Sequence, residues 1–167
     1  VRFIEKCDAT YDQRVYNAAA KIKENHSRSP VILLAGPSSS AKTTTAGRIR
    51  NMLCGMGVHC HMISLDDYYR TRSEGAYPLT EDGKPDLEAP EALDVPLLNR
   101  HLALLAAGKE IAVPHFDFPT QSRTAETTPL RLEPGSCVIF EGIHGLNGLF
   151  ADHKDAFRIY VNDDSHI

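Results

Sequence analysis

Residues 36–43 read Gly-Pro-Ser-Ser-Ser-Ala-Lys-Thr, which matches the spacing G-x-x-x-x-G-K-S/T everywhere except at Ala41, where the second glycine would stand. A loop of this make-up can hold a chain of phosphates. Its backbone N–H groups curl around the oxygens, Lys42 reaches the β and γ oxygens, and the Thr43 hydroxyl can bind Mg²⁺. The candidate nucleotide-binding residues are therefore Gly36, Ser38, Ser39, Ser40, Ala41, Lys42, Thr43 and Thr44. If position 41 needs a left-handed backbone, the alanine Cβ costs on the order of 1–2 kcal/mol and its methyl crowds the phosphates, so reduced affinity for ATP is expected. The competing reading is a Ser-rich turn that only caps a helix.

Two further places bear acidic groups at strand ends. Asp66-Asp67 follow the strand-like run Val58–Leu65, and Glu141 follows the apolar run Cys137–Phe140. Carboxylates at the C-terminal end of a parallel strand usually face the ligand crevice. The cluster His59-Cys60-His61 reads differently. Alternate residues of a strand point to opposite faces, so only the two histidines share one, and they read as ordinary strand residues rather than as a metal site.

These groups need elements to position them. Val15, Ala18, Ala19 and Ile22 recur at the spacing of one helix face, predicting a leading amphipathic helix from Thr10 to about His26. Ser29-Pro30 breaks it. Val31–Ala35 reads as a buried strand, the phosphate loop follows, and Lys42 to about Met56 reads as a helix ended by Gly55 and Gly57. Residues 70–88 are rich in charge, Gly and Pro and read as a loop over the site. Asp94 is an N-cap candidate before Pro96, and Leu97, Leu98, His101, Leu102 and Leu105 trace a helix closed by Gly108. Residues 111–123 read as irregular, with Pro114 and Pro119 around Phe116-Asp117-Phe118, and Thr127–Leu132 as a short hairpin arm. Pro134-Gly135 then turns into Cys137–Phe140, and Phe157–Val161 is a last strand after a short helix. Strands alternating with helices predict a three-layer α/β fold on a parallel sheet, organised as a leading helix over residues 1–29 and a phosphate-binding core over residues 30–167.

The 167 residues are enough for one domain with its own core, and 42% hydrophobic with 24% charged residues argues against disorder. A net charge of -4 and a pI near 6.1 give no general attraction to nucleic acid or anionic membrane, so phosphate binding must be local and the ligand small. The apolar runs are too short to cross a bilayer and no basic leader precedes them, so a soluble, cytoplasmic chain is expected. The four cysteines, Cys7, Cys54, Cys60 and Cys137, have no C-x-x-C pairing and read as reduced thiols. Nothing here excludes a homo-oligomer.

With the phosphate loop, Ser64-Leu-Asp-Asp-Tyr-Tyr-Arg70, Glu88-Ala-Pro-Glu-Ala-Leu-Asp94, Phe116-Asp-Phe118 with Ser122-Arg123, and Val138-Ile-Phe-Glu-Gly-Ile143 in that order, the chain resembles the uridine kinase and phosphoribulokinase family over about residues 30–162. The form of the phosphate loop and Glu141-Gly-Ile-His-Gly-Leu-Asn147 resemble those of uridine kinase-like modules of longer bacterial proteins. The resemblance implies a P-loop fold, Mg-ATP as cofactor and a nucleoside, uridine- or cytidine-like, as acceptor. It implies Asp66 as general base near Mg²⁺, with Lys42 as its catalytic companion on the phosphates, and Thr43, Asp66 and Glu141 as the metal set. A carboxylate beside the γ-phosphate can orient the alcohol and take its proton. For the acceptor it implies Glu88 on the ribose hydroxyls, Tyr69 and Phe116 as rings near base or sugar, and Gln121 and Arg123 close by. Gln121 stands where nucleoside kinases often carry a base-reading histidine, which leaves base identity open.

Family members continue into an arginine-rich lid and a further strand. The chain begins at Val1 and ends at Ile167 without them, so it reads as part of something longer, binding nucleotide weakly and turning over little as it stands. Two alternatives accompany the nucleoside kinase: a regulatory module that binds nucleotide without turnover, in keeping with Ala41, and a kinase for another alcohol such as a phosphorylated sugar or a pantothenate-like compound. The acidic Glu88 region ranks a phosphorylated acceptor below a nucleoside.

Overall fold

The computed structural model describes residues 2–26, 29–36, 42–70, 79–83, 92–142 and 156–160. Helix α1 spans Arg2–Asn25, longer at its start than the apolar spacing predicts, and is followed by strand β1, Val31–Ala35. Helix α2, Lys42–Gly55, leads to β2, Cys60–Ser64, and directly on to a 3₁₀ turn, Leu65–Tyr68. Helix α3 spans Val95–Ala106. Short strands β3 (Ile111–Val113), β4 (Phe116–Asp117), β5 (Ser122–Arg123) and β6 (Thr128–Leu130) precede β7, Cys137–Gly142, and β8, Phe157–Tyr160.

The main sheet has the order β2-β7-β1-β8, and all three pairings are parallel. Alternation along β1 divides its side chains between two layers. Val31 and Leu33 join Ile63, Leu65, Val138 and Phe140 under Leu98, Leu102 and Leu105 of α3. Ile32 and Leu34 join Ile139 and Ile159 under Val15, Ala19 and Ile22 of α1 and Ala46, Ile49 and Leu53 of α2. The result is the expected three-layer α/β arrangement, and it explains why β1 is apolar throughout and β7 is apolar from Cys137 to Phe140: a strand covered on both faces has no solvent side.

Two expectations need correction. Residues 111–123 are not irregular. They hold β3, which pairs antiparallel with β6 (Ile111 opposite Leu130, Val113 opposite Thr128), and the β4–β5 hairpin, with Phe116 opposite Arg123. Strands of two or three residues are too short to show a period, and Pro114 and Pro119 fall between them rather than inside them. The arm expected at Thr127–Leu132 contributes β6 to this pairing. Its Pro129, which lacks an N–H, sits opposite Ala112 on a two-stranded ribbon where a donor can be missing. Helix α3 starts and stops as expected: Asp94 accepts the Leu97 N–H at 3.2 Å, and Gly108 at φ 74° ends it.

Among the described cysteines, Cys54 is exposed and Cys60 and Cys137 are buried, and none of the three forms a disulfide. Among the described residues no helix is long and apolar enough to cross a membrane.

Candidate functional site

The sheet registers put the chemically interesting residues at one edge. Glu141 lies opposite Leu34 of β1 and opposite Ser64 of β2. Gly36 follows one residue after the end of β1, and Asp66 two residues after the end of β2. The start of α2 at Lys42, the turn bearing Asp66 and the carboxylate of Glu141 therefore gather at the carboxyl ends of three adjacent strands, where α/β sheets bind their ligands. Ser38–Ala41 and Glu88 lie outside the described residues. Lys42, Thr43 and Thr44 open α2, with Thr44 exposed and Thr45 buried on its inner side.

Asp66 is held by local chemistry. Ser64 caps the 3₁₀ turn, its hydroxyl accepting the Asp66 N–H at 3.2 Å, and this turns the chain sharply at the strand end. Packing then fixes the turn. Leu65 and Tyr68 are buried, and Gly142 lies so near that a Cβ there would stand 2.7 Å from Leu65 Cβ. Only a residue without a side chain allows the end of β7, with Glu141, to approach the Asp66 turn this closely. The Tyr68 hydroxyl meets Nδ1 of the buried His101 on α3 at 2.7 Å, and the Tyr68 ring packs on His101 and Phe140. Burial raises the Tyr68 phenol well above its ordinary value and lowers the His101 imidazole, with Arg100 and Arg123 adding to the lowering. The Tyr68 carbonyl accepts the Asp94 N–H at 2.8 Å, and Arg70 N–H donates to the Ala92 carbonyl at 2.9 Å. Apart from the Ser64 cap, these clamps join residues far apart in the chain and have no short sequence signature.

The neighbouring carboxylate has a different setting. Asp67 accepts the Phe116 N–H at 3.2 Å and lies 4.0 Å from His115 Nδ1, tying the turn to β4. Glu141 is 7% exposed, a buried acid at a strand end. Among the described residues no three His, Cys, Asp or Glu side chains form a ready-made metal cluster. Asp66 and Glu141 offer hard oxygen donors of the kind Mg²⁺ takes together with phosphate oxygens and water, so the donor chemistry fits that ion.

The acceptor candidates come together only in part. Tyr69 and Phe116 are both buried in the core layer under α3, their ring centroids 5.5 Å apart, while Phe118, 5.0 Å from Phe116, is exposed. The outer ring of this trio thus faces solvent, a feature the sequence reading missed because the three aromatics look alike in sequence. Gln121 adopts φ 51° in the turn between β4 and β5, the one non-glycine with positive φ among the described residues. Arg123 donates to Asp94 Oδ2 at 3.0 Å and, more weakly, to the Tyr68 carbonyl at 3.5 Å, so it braces the β4–β5 hairpin against the start of α3.

Comparison with known proteins shows the family and the fold. Residues 31–167 match the family described as "Phosphoribulokinase / Uridine kinase family". A uridine kinase of Deinococcus deserti (strain DSM 17065 / CIP 109153 / LMG 22923 / VCD115) is 32% identical over 142 residues, covering 85% of this chain and 66% of that protein. One of Chloroflexus aurantiacus (strain ATCC 29366 / DSM 635 / J-10-fl) is 37% identical over 139 residues, covering 83% of this chain and 64% of that protein. The chain thus spans slightly less than two thirds of the length of these relatives. In fold it is similar to a solved structure described as a possible uridine kinase from Bacillus stearothermophilus, with a TM-score of 0.63 at 21% identity over 78% of this chain and 68% of that one.

Proposed function

The chain belongs to the phosphoribulokinase and uridine kinase family, and from that premise we propose that its site transfers the γ-phosphoryl group of ATP to a hydroxyl of a nucleoside, uridine- or cytidine-like. The observation that carries the reading is the register of β7, which sets Glu141 beside both the strand that feeds the phosphate loop and the strand that feeds the Asp66 turn. The relatives named uridine kinase support the nucleoside as acceptor.

In this reading the backbone N–H groups of Ser38–Thr43 hold the phosphates, with Gly36 giving the loop its tight entry and Thr44 continuing the first helical turn. Lys42 neutralises β and γ oxygens and follows the charge that moves to the bridging oxygen as the bond breaks. Asp66 accepts a hydrogen bond from the acceptor hydroxyl, aims its oxygen at the phosphorus and takes the proton as the new P–O bond forms. Thr43, Asp66 and Glu141 would hold Mg²⁺, which when bound draws the phosphate oxygens together and offsets their charge. Burial of Glu141 and the sealed contact of Gly142 with Leu65 keep the floor of the site firm. Glu88 accepts from the two ribose hydroxyls. Tyr69 and Phe116 form the apolar wall with Phe118 at its rim, and Gln121 and Arg123 border the base.

The test is to incubate the full-length protein with Mg-ATP and a panel of nucleosides and to look for monophosphate by mass spectrometry. Uridine or cytidine monophosphate is expected. Ala41 favours a second reading, a module that binds nucleotide without turnover; saturable ATP binding with no phosphorylated product from any nucleoside or sugar would select it.

A further inference from the structure

His59 immediately precedes β2 and His61 is its second residue; β2 is an edge strand of the main sheet, and the two histidines lie at the end opposite the Asp66 turn. The His59 carbonyl accepts the Cys137 N–H at 2.9 Å, so the β2–β7 ladder extends through His59 and fixes the backbone of both residues. Side chains two apart on a strand point the same way. Their ring centroids are 4.6 Å apart with the planes tilted by 44°, while the thiol of Cys60 between them goes to the opposite, buried layer. His59 is exposed and His61 half-buried, so the pair opens to solvent.

We propose that His59 and His61 form a two-imidazole chelate for a divalent transition-metal ion of the Zn²⁺, Ni²⁺ or Cu²⁺ type, a site separate from the carboxylates at the other end of the strand. Two imidazoles bound cis to one ion, with metal–nitrogen bonds of about 2.0–2.1 Å, have ring centres roughly 4.5–5 Å apart, the spacing seen here. Imidazole nitrogen selects these ions over Mg²⁺ and Ca²⁺, which take oxygen. Water would complete the coordination, since among the described residues no third ligand is in place.

The experiment titrates Zn²⁺ into untagged protein by calorimetry, with Mg²⁺ in excess and Cys54→Ser as background to remove the exposed thiol. One ion per chain should bind saturably. His59→Ala and His61→Ala should each lower the affinity by about tenfold or more, and the double variant should lose little beyond either single one, because a chelate fails when either arm is removed. Electron paramagnetic resonance of bound Cu²⁺ should show two nitrogen ligands in the parent and one in either single variant. Absence of saturable Zn²⁺ binding, binding by the double variant equal to that of the parent, or additive losses from two independent histidines would each overturn the proposal.

Discussion

Asp66 and Asp67 are adjacent in sequence but separated by what already holds them. Asp67 receives the Phe116 N–H and faces His115, so its carboxylate belongs to the joint between the turn and β4. Asp66 follows the Ser64 cap at the ligand edge of the sheet. Asp66→Asn in the full-length protein should therefore retain Mg-ATP binding and lose phosphoryl transfer by roughly 10²-fold or more in steady-state assays. Wild-type turnover by that variant would move the role to Asp67. At the phosphate loop, Lys42→Ala should abolish measurable ATP binding in calorimetry, while Ala41→Gly should strengthen it or leave it unchanged. Weaker binding by the glycine variant would show that the methyl of Ala41 is not the burden its position implies. Both loop candidates rest on residue type and spacing, because the motif is continuous in sequence. The separate settings of Asp66 and Asp67 were not legible in this way, because Phe116 and His115 lie about fifty residues away in the chain.

The 3₁₀ turn Leu65–Tyr68 is the element through which packing reaches the chemistry. Gly142→Ala should force Leu65 aside, since the new Cβ would lie 2.7 Å from Leu65 Cβ and 2.9 Å from its Cδ1. Overpacking of this kind costs about 1–3 kcal/mol, measurable by urea unfolding, and should lower turnover further by displacing Asp66 from Glu141. Unchanged stability and turnover would show the contact to be slack. On the far side of the turn, Tyr68→Phe removes the hydroxyl that meets His101 and should cost about 1–3 kcal/mol. His101 also makes stability depend on pH. Its folded value lies below the ordinary 6.5, so as pH falls the unfolded chain takes up the proton first. The contribution is whole above about pH 6.5 and is lost as pH drops through the folded value. His101→Gln should flatten the loss of stability on acidification from about pH 7 to about pH 5, leaving the share of His61, which shifts in the same direction. An unaltered pH profile would place the titration elsewhere.

At the scale of the whole molecule, the family match begins at residue 31, yet α1 lies within the same core as the matched region. Val15, Ala18, Ala19 and Ile22 are buried on the layer that covers Ile32, Leu34 and Ile139. The exposed Arg48–Asp12 pair between α1 and α2 adds little beside this, since such surface pairs contribute at most about 1 kcal/mol. Ile22→Ala should accordingly destabilise the entire domain by about 2–5 kcal/mol in a single cooperative unfolding transition. A separate early transition for α1, with the rest unaffected, would make the helix an appendage. The sequence alone determined the layer architecture, because strands buried on both faces must be apolar throughout and covering helices must be apolar every third or fourth residue. It also determined the strand-end acids and the capped start of α3, since each rests on residues within a few positions of one another. The tertiary structure alone decided the short β3–β6 and β4–β5 pairings, the burial of Tyr69 and Phe116 with Phe118 left outside, the brace from Arg123 to Asp94, and the glycine that lets β7 meet the Asp66 turn. Those depend on which distant segments come into contact, and a local pattern carries no record of its partner across space.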